Sequence, residues 1–443
     1  MREMKDSGIE WIGEIPKEWE IIRMKNMIIS RDGGAWGEEK SNDENDVICL
    51  RIADFDYQRL RFKDTNELTI RNYKSEVKNK LLLLKDDILI EKSGGGEKTP
   101  VGRAVIFDKK YEALFANFME RLRTRNNVNP KYFLYILTAF YQNRHMLNYI
   151  KQTTGIQNLD ISSLLSIERS PFSSISEQQE ISAYLDEKCT KIDTIIEKQQ
   201  KIIEKLKAYK LSLITETVIK GLNPDVKMKD SGYEFIGTVP EHWNVCRLRN
   251  IGTPQNGISK GGDFFGHGYP FVSYGDVYRN FLLPETMNGL VETTEEEREQ
   301  YSVKEGDIFF TRTSETIEEV GFSCVCEKTI KNATFAGFVI RLRPFVDDLV
   351  TGFAKYYFRS NHHRFYLVKE MNLVTRASLG QNLLKSMPVL LPPKKEQQEI
   401  ANYLDKKCSA IAEAIAKKQT LIEKLKEYKK SLIYEVVTGK KEV

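Results

Sequence analysis

The sequence predicts a mixed α/β (α+β) fold: two similar globular domains and two long antiparallel coiled-coil helices, related by an internal pseudo-twofold repeat. Three observations carry that expectation. Residues 4–19, MKDSGIEWIGEIPKEW, return as residues 228–243, MKDSGYEFIGTVPEHW, at an offset of 224. Residues 177–181, EQQEI, return at 396–400, offset by 219, each time heading a long run of helix formers. Between these anchors, short β-rich runs alternate with Gly, Asn and Asp breaks.

A chain of 443 residues exceeds what one hydrophobic core supports, so two or three domains are expected. Its 41% apolar and 29% charged residues fit a folded, soluble protein. No apolar run approaches the ~18 residues that a membrane span needs, and Met1-Arg2-Glu3-Met4-Lys5-Asp6 leads into no apolar signal region. A cytoplasmic location with no membrane partner is therefore expected. Six cysteines without a CxxC pair are expected as reduced thiols, with Cys324 and Cys326 as alternating strand residues and no metal site. Sixty-seven basic against 63 acidic residues leave a net charge of +4, which permits a nucleic-acid partner without requiring one.

The divergent stretches, roughly 20–170 and 244–390, keep a common skeleton. Asp87-Ile88-Leu89 answers Asp307-Ile308-Phe309, and residues 115–123, FANFMERLR, answer 335–343, FAGFVIRLR. Each stretch later carries a helix-like aromatic segment.

Ser176 to Lys220 contains no Gly or Pro and reads as one helix on the order of 65 Å long. Ser176 with Gln179 is expected to cap it, and Gly221 and Pro224 to stop it. Leu185, Ile192, Leu206 and Leu213 fall at multiples of seven, with Cys189, Ile196 and Ile203 four after a seam position. The second helix repeats the seam with Leu404, Ile411, Leu425 and Leu432, joined by Cys408, Ile415 and Ile422. Each seam has one polar break, Gln199 and Lys418, at equivalent positions. A lone seam cannot bury itself, so the two helices are expected to pair antiparallel, with Gln199 facing Lys418 as the register layer. The alternative is a helix lying along its own domain. Because Pro171-Phe172 stands where Pro392-Pro393 precedes the second helix, the two helix starts are expected to be angled differently. The expected domains are 1–174, the helix 175–221, 222–393, and the helix 394–443.

Motifs for catalysis fail on context. Phe264-Phe265-Gly266-His267-Gly268 resembles a methyl-donor turn, but Gly261-Gly262-Asp263 precedes it and Tyr269-Pro270 follows, so a loop is expected. Leu391-Pro392-Pro393-Lys394 lacks the side-chain oxygen and aromatic ring that would hold a flipped adenine. Ser93-Gly94-Gly95-Gly96-Glu97-Lys98-Thr99 places Glu97 where a phosphate loop needs Gly, which leaves a flexible, partly basic loop suited to DNA contact. No hydrolytic motif or metal spacing appears, so no catalytic residue is assigned.

Basic residues interleaved with aromatics are the better lead. Lys131, Arg144 and Lys151 lie in 131–151 without an acidic residue, and Arg359, Arg364, Lys369 and Arg376 lie in 355–376 with Glu370 alone. Together with Lys98 and Arg312 they are the candidate DNA-binding residues, chiefly for phosphate.

With the doubled opening motif, the doubled EQQEI helix and the terminal Glu435-Val436-Val437-Thr438-Gly439, the whole chain resembles the specificity subunit of type I restriction-modification systems. That resemblance implies two target-recognition domains, each reading half of a split double-stranded DNA target, and conserved helices that bind two modification (methyltransferase) subunits. It implies restriction subunits as further partners. It also implies a non-catalytic chain that itself binds no cofactor, with S-adenosylmethionine, ATP and Mg on the partners. The competing readings are a structural coiled-coil adaptor and a methyltransferase or nuclease with cryptic motifs.

Overall fold

The computed structural model describes residues 2–152, 155–314, 319–345, 347–370 and 377–443. It divides into two compact units, residues 1–200 with 418–443, and residues 201–417.

In the first unit the opening motif folds as a hairpin of Met4–Asp6 and Glu14–Pro16, which buries Ile12, Ile15 and Trp19. A six-stranded sheet follows, in the order Ile28–Gly33, Met119–Thr124, Ile88–Glu91, Ala104–Ile106, Arg61–Phe62, Phe55–Asp56. A three-stranded sheet of Ala113–Phe115, Asp46–Leu50 and Ile70–Asn72 completes the body. Its core joins Leu50, Phe55, Phe62, Leu89, Phe107 and Phe115. The aromatic segment forms the helix Pro130–Gln142, with Pro130 at its first turn and the Asn129 side chain accepting from the amides of Lys131 and Tyr132. Its residues from Tyr132 to Phe140 are all buried, so its aromatics up to Phe140 are core, and Tyr141 is half-buried.

The second unit repeats the plan with the hairpin Met228–Asp230 and Thr238–Pro240. Its four-stranded sheet runs Gly252–Asn256, Val339–Pro344, Ile308–Thr311, Ser323–Val325. In both units the shared skeleton is an internal ion pair. Arg123 forks onto Asp87 at 2.7 and 2.8 Å, and Arg343 onto Asp307 at 2.7 and 2.6 Å, with each carboxylate fully buried. Cys324 and Cys326 lie in the apolar core, where burial pushes both thiols up to about 12. The expected loop at Phe264 is instead a short 3-10 turn, Gly262–Phe264, leading into a strand, Phe265–Val272. Gly266 and Gly268, at φ +94° and +91°, let that strand bulge, and its partner Gly289–Val291 supplies the pairing that the local sequence hid.

The central helix spans Ile175–Lys220 and the C-terminal helix Lys394–Val437. The cap differs from expectation: Ser174 accepts from the Glu177 amide at 3.3 Å, while Ser176 turns to Glu180. Ser174 precedes the first helical residue, so its hydroxyl alone is positioned to cap. The two helix starts are alike, because the strands Arg169–Phe172 and Pro388–Leu391 both pair back onto the body and the next residues are Ser173 and Pro392. Gln178 then donates to the Ser173 carbonyl and accepts from the Asn129 amide, just as Gln397 donates to Pro392 and accepts from Val350. Both glutamines are fully buried and satisfied, which accounts for the repeated EQQEI.

The tryptophans of the opening motifs set the direction of the pair. Trp19 donates its indole N–H to Glu177, at the start of the central helix, at 2.8 Å. Its ring lies against Gly439, just past the end of the C-terminal helix. Trp243 donates to Glu396 at 3.0 Å and lies against Gly221. Each tryptophan thus fastens the start of one helix to the end of the other, which only antiparallel helices allow. The seam residues Leu185, Ile192, Ile196 and Ile203 are buried in the central helix, as are Leu404, Ile411, Ile422 and Leu432 in the other. Lys418 donates to Gln199 at 3.0 Å, the polar layer expected from the heptads.

Candidate nucleic-acid interface

The candidate cations separate into those that face solvent and those that hold the fold. Lys98 and Arg144 are exposed, and neither forms an ion pair among the described residues. Arg144 sits at φ +64°, where the chain turns out of the aromatic helix. Lys98 lies in a turn closed by Gly96 and Thr99, beyond the two-residue strand Ser93–Gly94. Lys151, on the strand Ile150–Gln152, is three-quarters exposed and reaches Asp160 at 2.8 Å. Asp160 is held at about 2 by Lys151 and by the Ser163 amide that it caps.

Other candidates are engaged by the fold. Lys131 pairs with Asp186 on the central helix, beside the Tyr135 hydroxyl that donates to the same carboxylate at 2.8 Å, so it ties domain to helix. Arg359 donates to the carbonyls of Ser323, Val277, Tyr278 and Asn280 at 2.6–2.8 Å. Burial pushes its guanidinium down to about 10, and its rim is taken up by backbone, which removes it from the residues positioned for phosphate. Arg364 donates to the Val320 carbonyl at 3.1 Å and stacks on Phe322, half-buried. Arg312 donates to the Gly337 carbonyl at 3.2 Å, also half-buried, at the rim of its sheet. Arg376 and the Lys369 side chain lie outside the described residues.

Sequence reasoning missed Lys92. It is exposed and occupies the place of Arg312: the Lys92 amide donates to the Phe118 carbonyl at 2.8 Å, and the Arg312 amide to Phe338 at 2.9 Å. The repeat itself, through the equivalence of Glu91-Lys92 with Thr311-Arg312, was the available signal.

In the first unit a polar groove of about 700 Å³ lies between the body and the helix pair, lined in part by Arg59, Lys131, Tyr135, Asp186, Asp193 and Lys429. Two of its cations are paired, Arg59 with the nearby Glu197 and Lys429 with Asp193. Among the described residues no group of three or more His, Cys, Asp or Glu could hold a metal ion, and no helix is long and apolar enough to cross a membrane.

Two bodies on one repeated framework, each centred on a buried Arg–Asp fork and tied to the helices by the same Trp–Glu and Gln bonds, define an internally duplicated protein. The chain belongs to the type I restriction modification DNA specificity domain family, which it matches over residues 16–208 and again over 240–426. It is 24% identical to the type I restriction enzyme EcoKI specificity subunit of Escherichia coli strain K12, over 89% of this chain and 82% of that one. In fold it resembles a chain solved for the structural basis of complex assembly and conformational transition of the type I R-M system, with a TM-score of 0.71 at 15% identity over 96% and 98% of the two chains. The HsdS subunit from Thermoanaerobacter tengcongensis gives 0.53 at 14% identity, over the same shares.

Proposed function

We propose that this chain is the DNA-reading subunit of a type I restriction-modification complex, with each domain reading one half of a split target. The carrying observation is the contrast within each unit. The Trp–Glu and Gln ties that join body to helices are the same in both, while the sequences of the bodies between the shared anchors diverge. A repeated framework suits two identical partners, and divergent surfaces suit two different half-sites. The helix pair receives two modification subunits, and restriction subunits join them. Methyl transfer with S-adenosylmethionine, and ATP- and Mg-dependent restriction, belong to those partners in the cytoplasm, and this chain contributes no catalytic group. The outward cations Lys98, Arg144 and Lys151 serve phosphate, as does Arg312 at its rim.

The test is domain exchange in a methylating complex. Replacing residues 244–387 with those of a related chain should change one half of the methylated sequence and leave the other. A change in both halves, or none, would overturn one half-site per domain, and a complex that methylates no defined sequence would favour a structural adaptor.

A further inference from the structure

The paired stretches 115–123 and 335–343 share six identical residues, and packing accounts for five of them. Phe115 and Phe335, Ala116 and Ala336, and Leu122 and Leu342 are core. Arg121 and Arg341 are buried, and Arg123 and Arg343 fork onto buried carboxylates. The sixth identity, Phe118 with Phe338, is 49% and 64% exposed.

Both rings project from one backbone device. The Met119 amide closes a turn onto Ala116 at 3.1 Å, and Val339 onto Ala336 at 2.9 Å. The Ala35 amide meets the Phe115 carbonyl at 3.0 Å, and Ile258 meets Phe335 at 2.9 Å. Gly34 and Gly257 make that approach possible, since a Cβ on either would run into the carbonyl oxygens of the turn. A basic residue adjoins each turn in backbone: the Lys92 and Arg312 amides bond the carbonyls of the two phenylalanines, and neither side chain forms an ion pair among the described residues. In the first unit the row continues through Ser93 and Asn158 to Lys151, directly opposite one another in the small sheet.

An exposed aromatic on a rigid turn, bonded through its carbonyl to the amide of Lys92 or Arg312, is a surface that suits duplex DNA. Residues that read bases would differ between domains that read different half-sites. One ring kept in both implies a contact that every sequence offers. We infer that Phe118 and Phe338 are sequence-neutral wedges, each packing its ring against the bases of one half-site while Lys92 or Arg312 neutralises the neighbouring phosphate. This rests on the DNA-reading function proposed above.

The test uses the full chain assembled with its modification subunits and a duplex bearing the target found by sequencing methylated adenines. Phe118→Ala and Phe338→Ala should each weaken binding roughly ten- to a hundredfold. The methylated sequence should stay the same, and so should the salt slope, because no charge is lost. Phe118→Trp should keep near-normal affinity, and melting temperatures should be unchanged because the rings are exposed. Affinity within twofold of wild type, a changed methylated sequence, or loss of a modification subunit from the variant complex would each overturn the wedge while leaving DNA reading intact. A wild-type complex that binds no duplex would overturn the DNA-reading function itself.

Discussion

Lys429 and Asp193 form a nearly buried ion pair across the helices, with the ammonium 2.7 and 2.8 Å from the two carboxylate oxygens and 2.6 Å from the Gln58 carbonyl. Their side chains are 12% and 5% exposed. The repeat supplies a natural comparison, because the positions equivalent to Lys429 and Asp193 are Lys210 and Ala412. There the ammonium has no ion pair among the described residues and lies over the Phe281 ring at 5.5 Å. Burial lifts the Asp193 carboxyl above its ordinary range in spite of Lys429, so the pair does not recover its full cost of desolvation. Asp193→Ala leaves the ammonium with Gln58 alone and should cost about 3–5 kcal/mol. At about 2–4 °C per kcal/mol for a unit of this size, the melting temperature should fall by roughly 6–20 °C. Replacing both residues by Leu should be neutral or stabilising, by up to about 4 kcal/mol. Urea and thermal denaturation of Asp193→Leu, Lys429→Leu and the double variant close the cycle, with Lys210→Leu as a control expected to cost under about 1 kcal/mol. A double variant as unstable as Asp193→Ala would refute the reasoning, because the pair would then be a net source of stability.

Replacing Gln199 and Lys418 together by Leu should raise the melting temperature while loosening register, read as slower, mixed disulfide formation between cysteines engineered along the seam. Gln178→Ala should cost roughly 1–3 kcal/mol, because it strands the Asn129 amide and the Ser173 carbonyl, and denaturant midpoints would check it. Arg359→Met should lower stability and leave the salt slope of DNA binding unchanged, whereas Arg144→Ala should leave stability unchanged and flatten that slope by roughly one unit. Burial holds His362 down at about 3 and His363 well below its ordinary value, while unfolded histidine titrates near 6.5. Their contribution is therefore complete above about pH 6.5 and falls, by up to about 1.4 kcal/mol per residue per pH unit, as pH drops toward 3. Melting scans from pH 7 to 4.5 should show that slope, and a double variant with Leu at 362 and 363 should flatten it.

The helices were legible because a repeat at fixed offset and a seven-residue seam are properties of the sequence itself, and Gln199 and Lys418 met as their spacing required. The helix cap was not, since Ser174 and Ser176 offer the same hydroxyl and only the backbone path selects between them. Basic residues were legible as charges but not as neighbours. Nothing local to Arg359 announces carbonyls some eighty residues earlier, and nothing near Lys131 announces Asp186, 55 residues on. The strand at Phe265 escaped because its glycines punctuate the sequence as a loop does, while its ladder depends on Val291. Phe118 was visible only as one letter of a repeated string, and its exposure separates it from the core identities around it.

The tryptophan ties also bear on ancestry. A polypeptide of one repeat already contains Trp19, Glu177 and Gly221, everything that each fastening needs, so two copies could fasten each other as the two repeats of this chain do. Two copies of the first repeat would set Asp193 against Lys210 twice, satisfying both ammonium groups, while two copies of the second would bring Lys429 to Ala412 and leave each charge alone. The doubled architecture is an internal duplication, and of its two repeats only the first carries both charges of the pair, Asp193 and Lys210, where the second has Ala412 and Lys429.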